Sequence, residues 1–184
     1  MNDPIDAVDK ILAQWQSEIP ALEAEHMVLI GRLKRCAALL MPKLEQVFGQ
    51  YGLGSGAFDV LATLRRAGHP YCLTPTELFS SLMVTSGTMT TRLRNLETRG
   101  LIVRLPNPND ARSLLVQLTP SGKELIEEAL FPHVANEKKL LAALPPDVRA
   151  RLEADLKVLL RVLEAQSNNG DDNHISERPV HHAT

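Results

Sequence analysis

Between Leu73 and Ser121 the order of signals leaves little freedom of fold. Thr74-Pro75-Thr76-Glu77 is a capping box with proline at the first helical position. The Thr hydroxyl can take an early backbone N–H, and the Glu three residues on can return a bond. Met83 and Val84 form a turn, and Thr85 or Ser86 caps a second helix that runs to Arg99 and is closed by Gly100. Leu101 to Leu105 and Ser113 to Leu118 then read as strands, with Leu114, Val116 and Leu118 alternating on one face and a polar loop from Pro106 to Arg112 between them. Helix, turn, helix and hairpin in that order predict a winged helix-turn-helix. Such a unit lays one helix in the major groove of a duplex and a ribbon beside it.

The second helix divides into two faces. Met89, Leu93 and Leu96, spaced four and three apart, form the core face. Gly87, Thr91, Arg94 and Thr98 lie opposite, flanked by Thr90 and Asn95. Small hydroxyl side chains let a helix sink close to a duplex, and an Arg at that depth can pair bidentately with guanine. Ser86, Gly87 and Thr88 stand at the N-terminus, where open N–H groups and the helix dipole favour a phosphate. At the hairpin tip Asn107, Asn109, Asp110 and Arg112 follow one another. Arg112 is suited to a narrow minor groove. Asp110 would be repelled by phosphate and is expected to orient an Arg instead.

Charge supports that placement although the chain as a whole carries −2. From Val84 to Lys123 the charged residues are Arg92, Arg94, Arg99, Arg104, Arg112 and Lys123 against Glu97 and Asp110. A basic island on an otherwise acidic body directs a polyanion to one surface.

The remainder reads as helices. Ile5 to Gln16 carries the single tryptophan, Trp15, and Pro20 follows it. Met27 to Phe48 has Ile30, Leu33, Ala37, Leu40 and Leu44 at helical spacing, with a kink expected at Pro42. Ala57 to Ala67 ends before Gly68 and Pro70. After Thr119-Pro120 a helix extends to about Leu144, and Pro145-Pro146 opens a last one with a Leu152, Leu156, Leu159, Leu163 stripe. The expected organisation is a short helix and a long helix in 1–50, the winged helix-turn-helix DNA-binding domain in 51–121, two further helices in 122–166 and a polar, disordered tail in 167–184. With only 4% aromatic residues the fold class is mainly α with a small β-wing.

Several classes of function find no support. No apolar run approaches the roughly 20 residues that span a bilayer, and Met1-Asn2-Asp3-Pro4 does not open like a secretory signal. Cys36 and Cys72 lack metal spacing and suit a reducing cytoplasm. No nucleophile motif, phosphate loop, HExxH or CxxC is present, so neither an enzyme nor a resident cofactor or metal is expected.

The run Leu101-Ile102-Val103, Asn109-Asp110-Ala111-Arg112-Ser113 and Leu118-Thr119-Pro120-Ser121-Gly122 resembles the MarR family of dimeric transcriptional regulators over roughly 27–166. Asp110 and Arg112 fill that family's Asp-x-Arg wing motif. The resemblance implies a homodimer, with the long helix of 1–50 and the helices of 122–166 as dimerisation helices, that reads two halves of a pseudo-palindromic operator in double-stranded DNA. Trp15, the Phe58-Asp59 pair, Arg92 and Arg104 look like the urate-responsive, PecS-like branch of the family. There a Trp, an Asp and two Arg bind the effector between the dimer region and the DNA-binding lobe. The likeness implies derepression by a small planar anion, urate or a related purine. Arg pairing and an aromatic contact suit such an anion. On helical geometry Arg92 is one step from the core face and Asp59 lies away from the Phe58/Leu61 face.

Other readings stay open. An aromatic carboxylate or phenolic compound would use the same two Arg. A redox regulator would use Cys36, beside Arg35 but expected to be buried with Ala37, Leu39 and Leu40, or Cys72. A helical scaffold without DNA affinity is the third.

Overall fold

The computed structural model describes residues 4–82 and 89–173, with side chains left aside at Ala111 and from 168 onward. In chain order the elements are α1 (Ala7–Glu18), α2 (His26–Gln50), α3 (Ser55–Arg66), β1 (Cys72–Leu73), α4 (Pro75–Ser81), α5 (Met89–Thr98), β2 (Ile102–Asn107), β3 (Asp110–Leu118), α6 (Pro120–Leu141) and α7 (Pro146–Asn173). The chain is mainly helical with one small antiparallel sheet in the order β1-β3-β2. Two compact units are present, Met1–Glu137 and Lys138–Thr184.

In the first unit α3 is the central element. Val60, Leu61 and Leu64 are fully buried, and the core continues through Phe48, Leu78, Met89, Leu93, Leu96, Ile102, Val116 and Ile126. The capping box before α4 forms as its sequence predicts. Thr74 Oγ1 accepts the Glu77 N–H at 3.2 Å, and Glu77 Oε2 accepts the Thr74 N–H at 2.8 Å. Gly100, at φ 68°, closes α5 with the left-handed conformation that glycine adopts without strain. Its N–H reaches the Glu97 carbonyl at 2.9 Å, and the Leu101 N–H reaches that of Leu96 at 3.0 Å.

Four expectations need correction. The sheet has a third strand, because Cys72 and Leu73 pair with Gln117 and Val116 and widen the hairpin. Leu114 is 45% exposed, since the ribbon projects past the core at that level while Val116 and Leu118 stay buried. Cys36, Leu39 and Leu40 are exposed in the single chain, where the buried residues of α2 are Val47 and Phe48 near its end. Asp59 is buried, because α3 is packed by α2, α4, α5 and β3 and retains little outward surface.

α1 is fixed to α2 by charge. Asp6 caps α1, and Arg32 of α2 reaches Asp6 Oδ2 at 2.8 Å and Asp9 Oδ1 at 2.6 Å. In the second unit α7 continues to Asn173, past the Gln166 at which apolar periodicity stops. Backbone hydrogen bonding propagates a helix once it exists, with or without an apolar face. No helix among the described residues is long and apolar enough to cross a membrane.

Candidate nucleic-acid interface and effector residues

α5 meets the two-faced expectation. Met89, Leu93 and Leu96 are buried, and Thr90, Thr91, Arg94 and Asn95 are exposed. Burial of the three apolar side chains fixes the rotation of the helix about its axis, and that rotation decides which side chains can meet base edges. Ser86, Gly87 and Thr88, expected at the helix start, lie outside the described residues.

The wing tip is braced by its own side chains. Asn107 Nδ2 donates to Ser113 Oγ at 2.7 Å, and Asn107 Oδ1 accepts the Asn109 N–H at 3.0 Å. Asp110 Oδ1 accepts the backbone N–H of Arg112 at 3.0 Å. The aspartate therefore shapes the turn through the Arg112 backbone, where the expectation is an orienting bond to an arginine side chain. The Arg112 side chain is exposed at the tip.

The four effector candidates lie on four different elements. Trp15 of α1 lines a crevice of about 440 Å³ with Val8, Leu12, Val28 and, at its rim, Lys34 and Arg35. Asp59 lines a cavity of about 770 Å³ between α3 and α6, with Phe58, Arg65, Arg66, Phe131 and His133. Arg92 lines another hollow, of about 650 Å³, where the end of α2 and the start of α3 meet α5. Its guanidinium lies over Gly56, close enough that a β-carbon there would collide with it. Arg104 of β2 is half-buried and faces Glu97 of α5, Nε to Oε2 at 3.3 Å. These hollows are not one pocket within the single chain, and Arg104 already has an anionic partner.

Three contributors escape the sequence. Glu97 offers only a charge to count, although its place one turn before Gly100 sets it over the following strand. Gly56 carries no signal beyond the Gly-rich break. His133 stands isolated in the chain, yet its ring packs on Phe58 and Phe48 with centroids at 4.8 and 5.1 Å, and Nε2 lies 3.3 Å from Glu137. Burial first, and then the Glu77 carboxylate, push the Cys72 thiol up from its ordinary range, away from a reactive thiolate. Among the described residues no group of three or more His, Cys, Asp or Glu is arranged to hold a metal.

The MarR family pattern matches residues 54–114, the segment that holds α3, the two-helix unit and most of the wing. The chain is 40% identical over 147 residues to the HTH-type transcriptional regulator PecS of Dickeya dadantii, covering 80% of this chain and 89% of that one. It is 42% identical over 104 residues to the multiple antibiotic resistance protein MarR of Salmonella typhimurium, covering 56% and 70%. Among solved structures, a mutant MarR from E. coli complexed with operator DNA superimposes with a TM-score of 0.65 at 31% identity, covering 76% of this chain and 99% of that one. Its wing motif, its α5 faces and this similarity along most of its length agree: the chain belongs to the MarR family and is a DNA-binding transcriptional regulator, not an enzyme.

Proposed function

We propose that the protein is a homodimeric repressor that reads a pseudo-palindromic operator in double-stranded DNA and releases it when a small planar anion, urate or a related purine, binds. The observation that carries the DNA-reading half is the geometry of α5. Three buried side chains fix its rotation, and Thr90, Thr91, Arg94 and Asn95 face outward on the same basic segment as Arg112. These side chains read base edges, the wing arginine enters the neighbouring minor groove, and the start of α5 meets a phosphate.

Unpartnered apolar surface supports a second copy. In the first unit Leu29, Ile30, Leu39 and Phe131, the last 81% exposed, face outward; in the second Leu152, Leu156 and Leu163 do so. Apolar surface of that extent on a regulator is what an isologous interface covers. Two α5 helices one DNA turn apart then read two half-sites.

The effector half rests on the resemblance to the urate-responsive branch and on the chemistry of Trp15, Asp59, Arg92 and Arg104. Arg92 sits on α5 itself, so an anion that draws it inward acts on the reading helix without an intermediary. The ligand shifts operator affinity only by its differential affinity for the two arrangements. An aromatic carboxylate is the second reading, since Arg92 and Arg104 would pair with its carboxylate as they would with a purine anion.

Mobility shift on operator DNA selected from a random library tests the first half. Affinity should fall steeply with salt, as contacts to several phosphates require. A thermal-shift panel of purines and aromatic acids, together with operator competition, tests the second. Release by urate that persists unchanged in Asp59→Asn and Arg92→Gln variants rejects the assigned site.

A further inference from the structure

α4 is held firmly at one end and weakly at the other. Its N-terminus has the Thr74–Glu77 box and Pro75. Its last turn has no basic residue, and Leu82 leaves it in an extended conformation, φ −74° and ψ 146°. Carbonyls at a helix end carry partial negative charge and need donors. Ser80 Oγ turns back on the Glu77 carbonyl at 3.0 Å, inside the helix, and does not meet those at its end. The Ser81 carbonyl, the last of the helix, is met from another element, by a guanidinium nitrogen of Arg66.

Arg66 is the last residue of α3, the most deeply buried helix of the unit, with Val60, Leu61 and Leu64 at 0% exposure and Thr63 at 1%. Its neighbour Arg65 is committed elsewhere, to Glu127 at 2.6 Å and over the Tyr71 ring at 5.0 Å. The paired arginines thus divide their work. Arg65 fastens α3 to α6, and Arg66 fastens α3 to the point where the chain leaves α4 for α5.

We infer that Arg66 is a positioning residue for operator recognition: its bond to the Ser81 carbonyl fixes the exit of α4 and so the placement of α5 on the bases. α3 packs against both α4 and α5, so a bond from its last residue to the end of α4 holds the two helices of the reading unit in one frame. Hydrogen bonds to base edges are intolerant of displacement, whereas attraction to phosphates survives it. The inference rests on α5 being the base-reading helix.

The test compares full-length wild type with Arg66→Gln, Arg66→Lys and Arg66→Ala on operator and on random duplex across a salt series. Preference of the wild type for operator is the control; its absence would overturn the reading of α5 itself, separately from the role of Arg66. With the control met, Arg66→Ala should lose about tenfold in operator affinity, the scale of one mismatched base pair, while random-duplex affinity and the salt slope hold. Arg66→Lys and Arg66→Gln, which can each still donate to a carbonyl, should recover part of the loss. A salt slope shallower by about 0.9 in the Ala and Gln variants would make Arg66 a phosphate contact and overturn the inference. So would equal losses on both duplexes, or a lower melting temperature with the operator preference intact. Should the Ala variant not fold, Arg66→Gln and Arg66→Lys carry the same comparison.

Discussion

The guanidinium of Arg92 occupies the space that a β-carbon on residue 56 would need. Gly56 sits in the first turn of α3, behind the uncapped Gly54, and the absence of a side chain lets α5 lay its arginine against that turn. The atoms in the way are the far end of a flexible side chain, so Gly56→Ala can be accommodated by moving Arg92 alone. We expect a smaller loss of melting temperature than a clash with backbone would cause, while the effector concentration for half-release of operator rises several-fold. Thermal unfolding with operator competition checks both. An unchanged effector response would remove Arg92 from the effector path.

The ion pair of Glu97 with Arg104 leads to an opposite expectation. An anion that takes Arg104 must displace the carboxylate, which lies 3.3 Å away and only partly shielded from water. Glu97→Gln removes the competing charge, so urate should release operator at lower concentration, by a factor of about 2 to 5 for a partly exposed pair. Titration calorimetry on the protein without DNA gives the affinity directly. If Glu97→Gln binds urate with wild-type affinity, Arg104 is a brace between α5 and the wing and not a ligand.

Asp110 works on the backbone, and its variants should show this. Asp110→Ala removes the acceptor for the Arg112 N–H and loosens the turn that presents the Arg112 side chain. Asp110→Asn keeps an acceptor at the same position, though an uncharged one. Operator affinity should rank wild type, Asn, Ala. Were charge on the Arg112 side chain the purpose of Asp110, Asn would be as poor as Ala.

Gly122 is tight for a different reason. A β-carbon there would meet the backbone carbonyl of Leu101, which cannot swing aside as an arginine can. The same corner is closed by Thr119, whose hydroxyl donates to the Gly100 carbonyl at 2.7 Å and accepts the Gly122 N–H at 3.0 Å. Gly122→Ala should destabilise by roughly 1–3 kcal/mol, the usual cost of forcing atoms into a packed region. Urea unfolding measures it, and a neutral result would mean that α6 can slide off the wing without cost.

What could be read from the sequence depends on the range of the forces involved. Faces of α5, the capping box before α4 and the closing Gly100 are set by residues three or four apart, so spacing alone reveals them. The pairing of Cys72 and Leu73 with β3 joins residues more than forty positions apart, and two residues leave no alternation to detect. Helical spacing places Asp59 outward because it knows only one partner face. α3 has several, and burial of a carboxylate there depends on helices that spacing cannot locate. Arg104 lies beyond the end of α5 in a strand, where neither helical nor strand periodicity points to Glu97.

Acid should free α1 before it unfolds the core. The guanidinium of Arg32, and after it the Asp9 N–H, holds the Asp6 carboxyl down at about 2, against an ordinary value of 3.8. A carboxyl lowered in the folded state adds stability that is whole above its unfolded value and is lost as pH falls through the folded one. The window is therefore about pH 4 down to about 2. Glu127, lowered by Arg65 and then Lys123, shifts the stability of the α3–α6 contact in the same direction. Trp15 is the chain's one tryptophan and lies on α1 against α2, so its emission reports the docking of that helix. In an Arg32→Met variant the emission change should move upward, toward pH 4, because the carboxyl loses the partner that depresses it. An identical midpoint in variant and wild type would mean that apolar contacts of Val8 and Leu12, not the Asp6–Arg32–Asp9 cluster, hold α1 in place.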